Sequence, residues 1–256
     1  MNSHPGWSEA ERHLTASDAR LAELMAQAGP CRISPPKRFP VFPALASSIV
    51  YQQLAGSAAA AILGRVQALF PRRQMTPARL LEVDETLLRG AGLSAAKLVA
   101  LRDLAAKCLD GTVPTVAAMG RMDDEEIIER VSQVRGIGRW TVEMMLIFDL
   151  GRPNVLPVDD YGVRKGMQRL YRMRELPDKH RMRRQARKWH PWCSVASWYM
   201  WRASEQATTT EKQAAKKRSV KKKSAKKKIA KKTAVKKAVT GRKVAAKKVK
   251  RNTQKA

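Results

Sequence analysis

Apolar positions recur at intervals of three and four along most of the first two hundred residues. That is the period of helices with one buried face. Leu14, Leu21 and Leu24 share a face behind Ser8-x-x-Glu11, a spacing that predicts a capping box. Pro35, Pro36, Pro40 and Pro43 predict a connector, and one long apolar helix is predicted from about Ala44 to Leu69, bounded by Pro71. Short segments follow at Pro77–Leu81 and Glu85–Arg89. Ser94 is placed to cap a helix that runs to about Leu109 and ends at Gly111. Asp123 or Asp124 starts another, with Ile127, Ile128 and Val131 facing inward. Helices are then predicted over Arg139–Asp149, Asp160–Tyr171, Arg181–Lys188 and Ser194–Glu205. No segment alternates with the period of a strand, and there is no internal repeat. The fold class read from this pattern is all-α over residues 1–206, as two helical lobes, with the middle segment 76–151 closing a small bundle of its own.

Charge changes the picture at the C-terminal end. The chain has 256 residues and a net charge of +29, and Lys212–Ala256 holds 21 of its 51 basic residues and none of its 22 acidic ones. The stretch repeats lysine pairs and triplets among Ala, Val, Ser and Thr, without an aromatic residue. So little apolar bulk does not offset chain entropy. Residues 207–256 therefore read as a disordered Lys/Ala-rich tail, either a solubility appendage or an electrostatic arm that binds the DNA backbone without sequence preference. Its composition resembles the tails of linker histones. A polyanion such as double-stranded DNA is the expected partner, and an ordinary acidic enzyme is excluded. Cys31, Cys108 and Cys193 are too few and too scattered for a disulfide framework or a CxxC metal site. The first residues lack the apolar stretch of a signal peptide, and no run approaches the ~20 residues that span a bilayer. The expected setting is cytoplasmic, beside the nucleoid, and the expected state a monomer.

Two motifs carry candidate chemistry. In Val134-Arg135-Gly136-Ile137-Gly138-Arg139-Trp140-Thr141 a helix ends and another restarts at once. Two glycines permit a tight turn with bare backbone, and the restarting helix presents free N–H groups to an anion. The same pattern also serves as a plain turn between helices. Farther on stands Pro157-Val158-Asp159-Asp160-Tyr161. Two acidic residues before a helix read first as N-caps. A carboxylate held at a helix N-terminus beside a DNA-docking turn is also what breaking an N-glycosidic bond requires, because the sugar develops positive charge as the base leaves.

These residues resemble the helix–hairpin–helix superfamily of DNA base-excision glycosylases, in its 3-methyladenine DNA glycosylase II branch. The resemblance spans about Phe42 to Ser204. It is carried in order by Ile49-Val50-Tyr51-Gln52-Gln53-Leu54, Gly92-Leu93-Ser94-x-x-Lys97, Asp110-Gly111, the hairpin glycines, Pro157-Val158-Asp159-Asp160-Tyr161, and Trp189-x-Pro191-Trp192 leading to Trp201. It implies that Asp160 is the catalytic carboxylate, with Asp159 capping or orienting. Gly136, Ile137, Gly138 and Arg139 would bind the phosphate backbone. Gln52 and Gln53 would fill the gap left by the extruded base, or else be polar residues of a helix surface. Trp140, Trp201, Met144 and Tyr161 would line the base pocket, the flipped base lying between the two tryptophans. A cationic alkylated purine suits an indole face. Ser132, Val134 and Ile137 would offer carbonyls to a structural monovalent cation, and no other cofactor is implied.

Relatives that also cut the strand carry a lysine where this chain has Trp140, so the resemblance implies hydrolysis without a lyase step. The four-cysteine iron–sulfur loop of other branches is missing. Only about 40 residues precede the match, without the β-rich lobe of the best-known bacterial members, so the compact all-helical subgroup fits. Met144 stands where some relatives place a tyrosine. The other reading of the same residues is a non-catalytic, histone-like DNA-binding protein built on a glycosylase fold.

Overall fold

Capping side chains mark most of the helix starts. In the computed structural model, Asp18, Thr76, Asp84, Ser94, Thr115, Asp123, Asp160 and Asp178 each accept a hydrogen bond from a backbone N–H of the helix that follows. Such a cap contributes about 1 kcal/mol. The structure describes residues 7–34 and 40–205. The basic tail, and most of the proline connector, lie outside the described residues.

The elements are α1 (Trp7–Ser17), α2 (Ala19–Ala28), α3 (Val41–Tyr51), α4 (Gly56–Ala68), α5 (Pro77–Glu82), α6 (Glu85–Gly90), α7 (Ala95–Leu109), α8 (Val116–Met119), α9 (Asp124–Val131), α10 (Arg139–Phe148), α11 (Tyr161–Leu170), α12 (Lys179–Ala186) and α13 (193–205). Short 3₁₀ turns occupy Pro71–Arg73 and Arg187–Trp189. Helix is the only regular structure among the described residues, as the apolar period predicts.

Three expectations are corrected. Ser8 sits inside the first turn of α1, and Glu11 makes no capping box with it. Instead the Glu11 carboxylate accepts from Cys31 N at 2.7 Å and from the Tyr199 hydroxyl at 3.0 Å. The long helix predicted over 44–69 is two helices. Gln52 leaves helical backbone (ψ 131°) and Gln53 turns left-handed (φ 56°). The carbonyls freed at the end of α3 are taken by Lys97, a partner far along the chain that a local period does not reveal. The four-residue α8, capped by Thr115, was too short for the pattern to register.

Side chains buried from Trp7 to Ala203 make one contiguous core. Trp189 and Tyr199 are its largest fully enclosed members. Trp198 of α13 is also buried, and Trp192, just before α13, packs against the same core. Two features fix α11. At its far end, the buried Asp18 accepts from the Tyr171 hydroxyl, from Trp189 Nε1 at 3.3 Å and from Lys188 Nζ at 2.8 Å, joining α2 to the segments after α11 and α12. Along its length, Gly166 lets α13 come so close that a Cβ there would lie 1.9 Å from the Met200 carbonyl oxygen. This packing sets the start of α11 against α13, and the candidate site lies there.

Candidate active site

The turn between α9 and α10 has the geometry its glycines predict. Ile137 N donates to Val134 O at 3.0 Å, and Gly136 occupies the left-handed region (φ 77°). Gly138 is the N-cap of α10 and offers no side chain to its first N–H groups. A Cβ at Gly138 would meet no protein atom, so this glycine leaves the backbone bare toward the outside. Free N–H groups and the positive end of the α10 dipole thus point outward together. Asp103 of α7 steadies the turn by accepting from Arg135 N at 2.7 Å.

Asp160 lies at the start of α11 and is 9% exposed. Its Oδ1 accepts from Val163 N at 2.7 Å and from Trp201 Nε1 at 2.8 Å. Its Oδ2 accepts from Trp140 Nε1 at 2.8 Å. The carboxylate is therefore both the helix cap and the meeting point of two indoles, one from α10 and one from α13. Its partners are N–H dipoles rather than cations, so its charge is oriented without being neutralised by an ion pair.

Trp140, Met144 and Phe148 follow one another at four-residue steps on α10 and share a face. Phe148 stacks on Trp201 with ring centroids 5.5 Å apart. Trp140 is 48% exposed and Tyr161, next to Asp160, is 63% exposed. The result is an aromatic, outward-open wall around one carboxylate. Glycine makes it possible: a Cβ at Gly162 would lie 2.7 Å from Trp201 Cδ1 and 3.1 Å from Asp160 Oδ1.

Several predicted site residues take other roles. Asp159 does not cap α11; it pairs with Lys179 Nζ at 2.8 Å, while Asp160 makes the cap. The Arg139 guanidinium is committed to the Glu125 carboxylate and to Glu143, with Nε 3.0 Å from Glu143 Oε1. Both carboxylates hold it firmly protonated, and burial pushes the Glu143 carboxyl up against the pull of Arg139. Arg139 thus contributes its place at the helix start, and its side chain braces α9 against α10. Gln52 Nε2 donates to Gly136 O at 2.7 Å, whereas Gln53 and Leu54 are exposed beside it. The expected sandwich of a base between two tryptophans is limited by Phe148, which already occupies a face of Trp201.

The carbonyls of Ser132, Val134 and Ile137 bracket the hairpin. That of Val134 already accepts the Ile137 amide, which leaves it one lone pair. Neutral oxygens of this kind fit a hard monovalent cation. Among the described residues no group of three or more His, Cys, Asp or Glu could hold a metal ion. Burial pushes the Cys31 and Cys193 thiols up to about 12 and that of Cys108 up to about 11, so no thiol is a ready nucleophile. No helix of the described residues is long and apolar enough to cross a membrane.

Residues 46–191 match the model of the HhH-GPD superfamily of base excision DNA repair proteins. The chain belongs to that superfamily. It is 36% identical over 208 residues to DNA-3-methyladenine glycosylase 1 of Schizosaccharomyces pombe, covering 80% of this chain and 90% of that protein. A solved structure of the S. pombe 3-methyladenine DNA glycosylase in complex with abasic DNA superposes with a TM-score of 0.67 at 36% identity, over 77% of this chain and 97% of that one. DNA-3-methyladenine glycosidase from Bacillus halodurans superposes with a TM-score of 0.71 at 33% identity, over 80% and 93% of the respective chains.

Five residues at or near the site have no role assigned by the sequence pattern. Phe148 continues the four-residue steps from Trp140 and Met144, a signal that was available. Gly162 and Gly166 are four apart on one helix, which marks a close helix contact. Leu54, 38% exposed at the turn after α3, and Lys97, which donates to Gln52 O there, owe their places to the break between α3 and α4, which the apolar period does not show.

Proposed function

We propose that this protein is a monofunctional DNA glycosylase. It docks a strand on the α9–α10 hairpin, accepts an extruded alkylated purine such as 3-methyladenine against the aromatic wall, and hydrolyses its bond to deoxyribose. One observation carries the reading: a single carboxylate, Asp160, sits beside a bare helix N-terminus with both of its oxygens aimed by indole N–H groups.

As the C1′–N bond lengthens, positive charge grows on the sugar, and a fixed anion nearby lowers that barrier. Water adds to C1′ and gives its proton to solvent. The base departs with the bonding electron pair. Alkylation has already made it cationic, so it leaves neutral and no general acid is needed. Normal purines lack that charge and leave far more slowly, so the lesion supplies part of the selectivity, along with its cheaper extrusion from the stack. In this reading the exposed Leu54, next to Gln53, serves as the wedge that enters the duplex.

A Schiff-base lyase step needs an amine at the sugar. Position 140 offers an indole bonded to the catalytic carboxylate, which supports hydrolysis alone. The three hairpin carbonyls hold a monovalent cation in this reading, as a brace for the turn. Residues 207–256 act as a nonspecific arm on DNA.

The test is release of free 3-methyladenine from methylated DNA. Wild type releases it and Asp160→Asn does not, with a loss of about a hundredfold or more. Borohydride traps no covalent adduct with wild type. DNA binding without release by either protein would leave a non-catalytic binder.

A further inference from the structure

Lys97 lies on α7, away from Asp160, yet its ammonium donates to Val50 O at 2.7 Å and to Gln52 O at 2.9 Å. These are carbonyls at the frayed end of α3, where the helix dipole is negative and the backbone breaks. The Lys97 side chain is partly buried, and desolvation holds its pKa below the usual lysine range. The next residue, Gln52, reaches across to Gly136 O at 2.7 Å. Gln53 follows in the left-handed region, and Leu54 is exposed beyond it. A cleft of 640 Å³ runs beneath, lined among others by Gln52, Lys97, Arg135 and Gly136.

A strained two-residue turn carrying an exposed leucine is thus bolted at two points. One bolt is to α7 and the other is to the glycine of the hairpin. We infer that Lys97 and Gln52 are positioning residues that hold the Gln53–Leu54 turn at a fixed height relative to the hairpin. Seating a phosphate on the hairpin then drives that turn into the base stack in one rigid movement. This rests on the glycosylase reading and adds to it the two side chains that hold the wedge in place.

The movement matters only when a base must be pulled from an intact stack. A lesion already unstacked, for instance one flanked by mismatches, costs less to extrude. Lys97→Met removes the ammonium and keeps the stem. The experiment compares single-turnover excision of the same lesion in a fully paired duplex and in a mismatch-flanked one, with thermal melting to establish that the variant is folded. The expected result is a loss of about tenfold or more on the paired duplex, the equivalent of ~1.4 kcal/mol of lost opening energy, with much less change on the mismatched one. Lys97→Arg, which restores a cationic donor, recovers part of the loss. Equal losses on both duplexes, or none on either, overturn the inference.

If Lys97→Met does not fold, Gln52→Ala carries the same test, and the ratio of paired to mismatched rates must fall with it. A second readout needs no chemistry: 2-aminopurine at the target position brightens when it leaves the stack. Wild type brightens it at saturating protein, and the variants do so less. Should wild type excise from neither duplex, the glycosylase reading fails, and the fluorescence still decides whether the tether opens the stack.

Discussion

The indole N–H of Trp201 donates to Oδ1 of Asp160 at 2.8 Å, and the approach is open only because residue 162 has no side chain. Asp160 and Trp201 come from different helices, α11 and α13. Their contact depends on two glycines one turn apart on α11, and the two tolerate a methyl group very differently.

At Gly162 an added Cβ would meet the edge of an indole, 2.7 Å away; at Gly166 it would meet backbone, 1.9 Å from the Met200 oxygen. An indole can tilt, whereas the spine of α13 cannot. Gly162→Ala is expected to fold with a loss within the ~1–3 kcal/mol typical of overpacking, and to lose activity because Trp201 no longer reaches Asp160. Gly166→Ala is expected at or beyond the upper end of that range, because the helices must separate. Urea unfolding of both variants, with excision assays on whichever folds, checks the contrast. Equal destabilisation by the two would contradict the geometry.

Trp140→Phe and Trp201→Phe each remove one N–H from Asp160 and keep a ring. A hydrogen bond to a charged group contributes ~1.5–3 kcal/mol where water cannot replace it. Trp140 is half exposed, so water takes over its place. Trp201 is more enclosed, with Phe148 against one face. The expected order of destabilisation is therefore Trp201→Phe above Trp140→Phe. Loss of orientation at the carboxylate lowers kcat, while loss of a stacking platform raises KM. If the indoles serve mainly to aim Asp160, both variants drop in kcat with KM little changed. A pure KM effect would assign them to base binding alone.

Most of the fold was legible in the sequence because its signals are local. Ser94, Asp123 and Asp160 announce helix starts within one turn, and Gly136–Gly138 announces the hairpin. The capping reading of the acidic pair holds for Asp160, which caps α11 and also accepts from the indoles of Trp140 and Trp201. What the sequence did not reveal depends on partners far along the chain. The break after Tyr51 is stabilised from Lys97, and Arg139 is drawn from its expected phosphate to Glu125 and Glu143. Neither period nor propensity encodes such contacts, so the apolar pattern shows one helix where two exist and gives no sign that the Arg139 side chain braces α9 against α10.

Asp18 predicts a pH dependence of stability. Desolvation raises its pKa, but the hydrogen bonds from Lys188, Tyr171, the Leu21 amide and Trp189 together outweigh burial and hold it below the 3.8 of a free side chain. Its contribution is therefore complete above that unfolded value and is lost as the pH falls through the lower folded value. Asp18→Asn removes the charged acceptor from Lys188, Tyr171 and Trp189 and is expected to cost about 1.5–3 kcal/mol near neutral pH. The gap from wild type should narrow only in acid, below about pH 4, as the wild-type carboxyl protonates. Denaturant unfolding from pH 7 to pH 3 measures it. A gap that closes near pH 6 would mean that another group carries the effect.

The basic C-terminal stretch lends itself to a thermodynamic test. Each phosphate neutralised by a lysine releases counterions, so log K falls by ~0.9 per log unit of salt for every such contact. Deleting residues 207–256 removes the 21 basic residues found from Lys212 onward, and no acidic residue of that stretch offsets them. Removing even a few simultaneous phosphate contacts should visibly flatten a plot of log K against log salt. The proposed site is built from α10, α11 and α13, so single-turnover excision at saturating protein should be nearly unchanged by the deletion. An unaltered salt slope would reduce the tail to a solubility appendage, and a large fall in the single-turnover rate would mean that it contributes to the site itself.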